Sequence, residues 1–183
     1  MKTLFTAVPA AVTLLMAAGM TGVFFAFSTS VMPGLDASRP GTAIEAMQHM
    51  NRKILNPLFL SSFTLTPVAA LLTAILLFFL LDQKTAALLF LAAAVVYVVG
   101  SIAPTAVVNV PLNNVLDAAS IPADPAEAAR IWADYTGRWT AWNHLRGVAC
   151  GITLLLAAFG MFVWGRGSSP ARRSHMRPRR TAM

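Results

Sequence analysis

The sequence predicts an all-α fold, an integral membrane four-helix bundle with short capped helices in its two long extracytoplasmic loops. Three observations predict it. Hydrophobic residues make up 57% of the 183 and charged residues only 11%, whereas a soluble domain carries about 25% charge. Four stretches hold no formal charge: between Lys2 and Asp36, Lys53 and Asp82, Lys84 and Asp117, and Arg146 and Arg166. Each can hold a membrane helix of about 20 residues. Finally, the net charge of +7 gathers at the borders of those stretches. That placement argues against nucleic acid as the partner, although a pI near 10.8 would otherwise suggest phosphate contacts. The predicted partner is the lipid bilayer.

The first span is placed at residues 4–27. Lys2, an apolar run and the small residues Ala17, Ala18 and Gly19 also resemble a secretory signal. The run continues through Phe27, however, beyond the roughly 7 to 15 residues of a signal core, so it reads as a retained span.

The first loop is turn-rich and then restarts at Thr42-Ala-Ile-Glu45, a spacing that fits a capping box. A helix over residues 43–55 is predicted. Asn56-Pro57 marks its end, with Pro at the first position of the next helix. Spans two and three follow at 58–81 and 86–108. Pro111 then removes a backbone donor and should disturb the helix at membrane depth.

Asp124-Pro125-Ala-Glu127 repeats the capping device and opens a helix that runs into the fourth span, 145–164. Both halves thus read as span, proline turn, capped helix, span, which hints at duplication. The expected division is a membrane domain over 1–165 and a basic, disordered cytoplasmic tail over 166–183.

With four spans, the termini and the Asp82–Thr85 turn share one side, which carries eight cations against one anion; the other side carries six of each. The bias places the N- and C-termini in the cytoplasm and the loops outside, with the plasma membrane as the expected location. Cys150 is the single cysteine, so no intrachain disulfide is possible.

The polar residues of the loops suggest a site. Trp132, Tyr135, Trp139, Trp142, Asn143 and Arg146 fall at helical offsets that put them on one face. Asn109 and Asn113, four apart beside Pro111, are candidates for satisfying freed carbonyls or for clamping a ligand. Gln48 and Asn51 join them from the first loop. His49 and His144 are candidate general bases, since an unperturbed imidazole titrates near neutral pH. Two histidines without H-x-x-x-H spacing make no metal site, and no metal ligand or cofactor is expected. Phosphate-loop, dinucleotide and nucleophile-elbow motifs are absent. The spans contain no acidic residue, which argues against a proton-coupled pump.

Four segments carry a family resemblance: Phe25-Ala-Phe-Ser with Val31-Met-Pro-Gly-Leu35; Ala46-Met-Gln-His-Met-Asn51 through Pro57; Asn109-Val-Pro-Leu-Asn-Asn114; and Trp132-x-x-Tyr135-x-x-x-Trp139-x-x-Trp142-Asn-His-x-Arg146. Together they resemble the anthrone oxygenase-like family of small four-span membrane proteins. The resemblance implies oxidation of an anthrone, an aromatic polyketide, or a similar polycyclic phenol by dioxygen. An anthrone carbanion can reduce dioxygen directly, so neither flavin nor metal is required. On this reading His144, then His49, is the base, and Arg146, Asn109 and Asn113 cradle developing oxyanions. Trp132, Tyr135, Trp139 and Trp142 stack on the polycycle, and Gln48, Asn51 and Asn143 orient it. The alternative is a noncatalytic protein whose outer cap binds a lipid, a quinone or a partner subunit.

Overall fold

The computed structural model describes residues 1–167. Five helices account for almost all of them: α1 (Lys2–Asp36), α2 (Pro40–Lys53), α3 (Pro57–Leu80), α4 (Lys84–Ala118) and α5 (Pro125–Gly167). There is no strand among the described residues. Helices α1, α3, α4 and α5 are long and apolar enough to cross a membrane, which makes this an all-α integral membrane protein. They form a ring in which α1 and α4 each pack between α3 and α5, so chain neighbours run antiparallel. Helix α2 lies across one end, against α5 and the ends of α1 and α4. This is the capped end of the bundle.

Small residues line the helix crossings. Ala10, Ala17, Ala70, Ala74, Ala93, Ala149 and Ala157 are buried, while Leu15, Phe25, Leu58, Phe79 and Leu155 face outward. That arrangement suits a protein whose solvent is hydrocarbon, because close backbone approach, more than apolar burial, then holds helices together. A Cβ added at Gly100 would sit 2.5 Å from the Cβ of Ala149, so α4 and α5 cross there too closely for any side chain at residue 100. Buried Thr13, Thr66 and Thr73 return their hydroxyls to carbonyls four residues back, leaving no open donor on these three side chains in the apolar interior.

Three local expectations change. The first span does not stop near residue 27, and the third does not stop near 108: both continue as helix to Asp36 and Ala118. Each passes through a π turn, Phe27–Val31 or Thr105–Asn109, two residues before Pro33 or Pro111. The wider turn accommodates a position that lacks an N–H, and the helix carries on. Helix α2 starts at Pro40 behind the extended residue Arg39, with no side-chain cap. Proline's fixed φ sets the start, and Thr42 and Glu45 fall inside the helix.

Two other helix starts do carry a side-chain cap, the expected one at Asp124 and another at Asn56, which the sequence marks only as a boundary. Asn56 Oδ1 accepts from Phe59 N at 3.0 Å, and Asp124 Oδ1 accepts from Ala126 N at 3.0 Å. From there α5 runs 43 residues without a break, about 65 Å at 1.5 Å per residue. From residue 168 onward, the tail lies outside the described residues.

Candidate functional site

The capped end has its own core, in which Met32, Ile44, Met47, Leu116, Trp132, Tyr135 and Trp139 are buried together. The aromatic face of α5 is pinned there by polar side chains from three other helices. Trp132 Nε1 and Thr136 Oγ1 both donate to Asp36 Oδ1 at 2.8 Å, tying α5 to the end of α1. Asn113 Oδ1 accepts from Tyr135 Oη at 2.9 Å and from Trp139 Nε1 at 2.8 Å. Asn51 donates to the same phenol at 3.4 Å. Gln48 donates to the carbonyls of Leu116 and Ala119 at 2.8 and 3.0 Å, fastening α2 to the end of α4.

Below this core lies a cavity of about 200 Å³. Phe24, Asn109, Trp139, Asn143 and Arg146 are its buried wall; Arg52, Leu55, Val110, Asn114 and Asp117 are exposed or half-buried and mark its mouth. Across that mouth Arg52 Nε meets Asp117 Oδ1 at 2.7 Å. The volume is below the roughly 300 to 1,000 Å³ of drug-sized sites, which favours a small molecule.

Arg146 dominates the wall. Only 5% exposed, it donates from Nη2 to Asn143 Oδ1 at 2.8 Å and from Nη1 to Thr105 Oγ1 at 3.2 Å. Its guanidinium carbon lies 4.6 Å from the ring centre of Phe24 and 5.2 Å from that of Trp139. Nε has no partner. Asn143 is held by donating to the Phe24 carbonyl at 2.8 Å and to Ser28 Oγ at 2.7 Å. Asn109 Nδ2 donates to the Trp139 carbonyl at 3.2 Å, and its Oδ1 is buried without a partner. The buried wall thus holds one unused donor and one unused acceptor, each costly to leave unpaired.

Of the residues singled out in the sequence, the cavity brings together Asn51, Asn109, Asn113, Trp139, Asn143 and Arg146. Gln48, Trp132 and Tyr135 sit in the core above it. Trp142 is half-buried and does not line it. His49 and His144 are exposed and also lie off the cavity wall, because each follows directly after an inward-facing residue and is turned about 100° around its helix. Sequence reasoning missed Phe24, Phe27, Thr105, Arg52 and Asp117 on the lining. Phe27 lies within one of the family-like segments, and the ion pair joins residues 65 apart, which no local spacing reveals. Among the described residues, no three His, Cys, Asp or Glu side chains gather in one place.

A family model described as Anthrone oxygenase matches residues 58–167, covering α3, α4 and α5. No curated protein and no solved structure matches the chain.

Proposed function

Because the chain belongs to the anthrone oxygenase family, we propose that it oxidises an anthrone or similar polycyclic phenol with dioxygen, without a cofactor, in the cavity at the capped end. The observation that supports this reading best is Arg146, a buried cation with an unused donor on a wall otherwise built of aromatic rings and amides.

In the reaction the methylene between two aromatic rings loses a proton to water, and the charge passes to the oxygen of the opposite carbonyl. That anion gives one electron to dioxygen. The resulting superoxide and carbon radical combine as a peroxide anion, which takes back a proton to become a hydroperoxide. Loss of water then leaves one oxygen atom as the new carbonyl, while the other departs with both methylene hydrogens. The protein's part is to hold the flat rings against Phe24, Phe27 and Trp139 and to stabilise the charged oxygen by donors already in place. With His49 and His144 off the cavity wall, proton removal is not assigned to them.

The test is aerobic oxidation of emodin anthrone by the purified protein in detergent, set against the spontaneous rate. Wild type should exceed that rate, and Arg146→Gln should lose about 100-fold, as removal of one oxyanion donor does. A wild-type rate equal to the spontaneous one ends the proposal. Saturable binding without turnover would instead favour the noncatalytic alternative. We also place the protein in the plasma membrane with both termini cytoplasmic, on the Lys and Arg bias; reporter domains fused to either terminus should be active only as cytoplasmic fusions.

A further inference from the structure

We infer that the cavity takes its ligand as an oxyanion on a flat aromatic frame, its charge set against the Arg146 guanidinium. This rests on the proposed site and deepens it by naming the ionisation state of what is bound.

The guanidinium is buried, yet every group it touches is neutral: a threonine hydroxyl, an amide oxygen and two ring faces. No carboxylate lies within ion-pair distance of it among the described residues. The one acid on the cavity lining, Asp117, is at the mouth and is engaged by Arg52. Removing a charge from water without a counter-charge is strongly unfavourable, and ring faces compensate only in part. Asn143 keeps the arrangement neutral by construction. Its Nδ2 is committed to the Phe24 carbonyl and Ser28 Oγ, both acceptors, so its oxygen must face Arg146. Two of the three guanidinium nitrogens are thereby held by neutral partners, and the third, Nε, has none. An anion in the cavity beside the guanidinium supplies the missing counter-charge, while a neutral phenol supplies only a dipole. Binding therefore favours the deprotonated ligand, whose proton leaves to water through the mouth, and no protein base is needed to form it.

The experiment uses full-length protein in nanodiscs and emodin as the probe, since hydroxyanthraquinones redden on ionisation and emodin itself does not turn over. Its ionisation midpoint should fall by at least about one pH unit relative to empty nanodiscs, a tenfold preference for the anion. Arg146→Gln should abolish the shift. So should Thr105→Glu, which keeps Arg146 but sets a carboxylate beside Nη1 and guards against a folding defect in the first variant. An unshifted midpoint for bound emodin, or a shift that survives both variants, overturns the inference and leaves the oxidation proposal standing. Anthracene-2-carboxylate and the neutral anthracene-2-methanol separate the sources. Arg146-dependent binding of the carboxylate without emodin supports an oxyanion site while removing the polycyclic phenol as its ligand. Equal binding of carboxylate and alcohol overturns the inference, as does binding of none of the three probes.

Discussion

Asn113 shows what one side chain can do that its spacing does not disclose. Its place four residues from Asn109 suggests half of a ligand clamp; in the structure its Oδ1 is occupied by Tyr135 and Trp139. Replacing it with leucine strands both donors in the cap core. The expected loss is about 2 to 6 kcal/mol, since each of the two unsatisfied buried groups costs roughly 1 to 3. Trp139→Phe removes only one donor, keeps most of the ring, and should cost about 1 kcal/mol. Thermal unfolding in detergent compares the two, and equal losses would mean that Asn113 is not the junction described. The helical offsets of the α5 stripe foretell most of the side chains that share a face: Trp132, Tyr135, Trp139, Asn143 and Arg146 are buried on it, while Trp142, the sixth, is only half-buried. They do not foretell partners, because those come from Asp36, Asn51, Phe24 and Ser28 on other helices. Histidine chemistry draws attention to His49 and His144, but chemistry carries no information about which way a helix turns a residue.

For the helices themselves, charge-free runs locate every crossing segment, since a bilayer excludes charge over a fixed thickness. Cutting those runs to the length of one bilayer crossing ends α1 and α4 too early, although the charge-free runs themselves reach Asp36 and Asp117. A helix ends where its hydrogen bonding ends, and π turns carry both helices past a proline into polar sequence. The π turns and the segment beyond supply cavity lining: Phe27, Thr105 and Asn109 belong to the π turns, and Asn113 to the α-helical segment beyond the second of them. The α4–α5 crossing provides a sharp test of packing. Gly100→Ala places a methyl into Ala149 and should destabilise the bundle by about 1 to 3 kcal/mol, the usual cost of overpacking. Adding Ala149→Gly should recover part of the loss, because the two positions touch and their effects are not additive. Stability measured in detergent for the two singles and the double decides it, and simple additivity would rule out a direct clash.

As a whole, the molecule divides into a membrane bundle sealed by small residues and a cap knit by hydrogen bonds, with the cavity at their junction. The Arg52–Asp117 pair spans that junction but is half exposed. Arg52→Ala should therefore lower global stability by no more than about 1 kcal/mol, and a larger drop in the unfolding midpoint would show that the pair bears more than its own weight. The architecture is readable from composition and charge position; the cavity is not, since it is formed by α1, α2, α3, α4 and α5 meeting at one level. Its mouth sets Leu55 and Val110 beside Arg52 and Asp117, at the height where the outward-facing apolar surface of α3 begins with Leu58. Were the proposed polycyclic phenol the ligand, it would reach such a doorway from the lipid, where apolar molecules accumulate, and its activity there would set occupancy. Extra empty vesicles added at constant ligand would then act as a sponge, drawing molecules away from the protein and raising the total concentration needed for half-saturation in proportion to lipid volume.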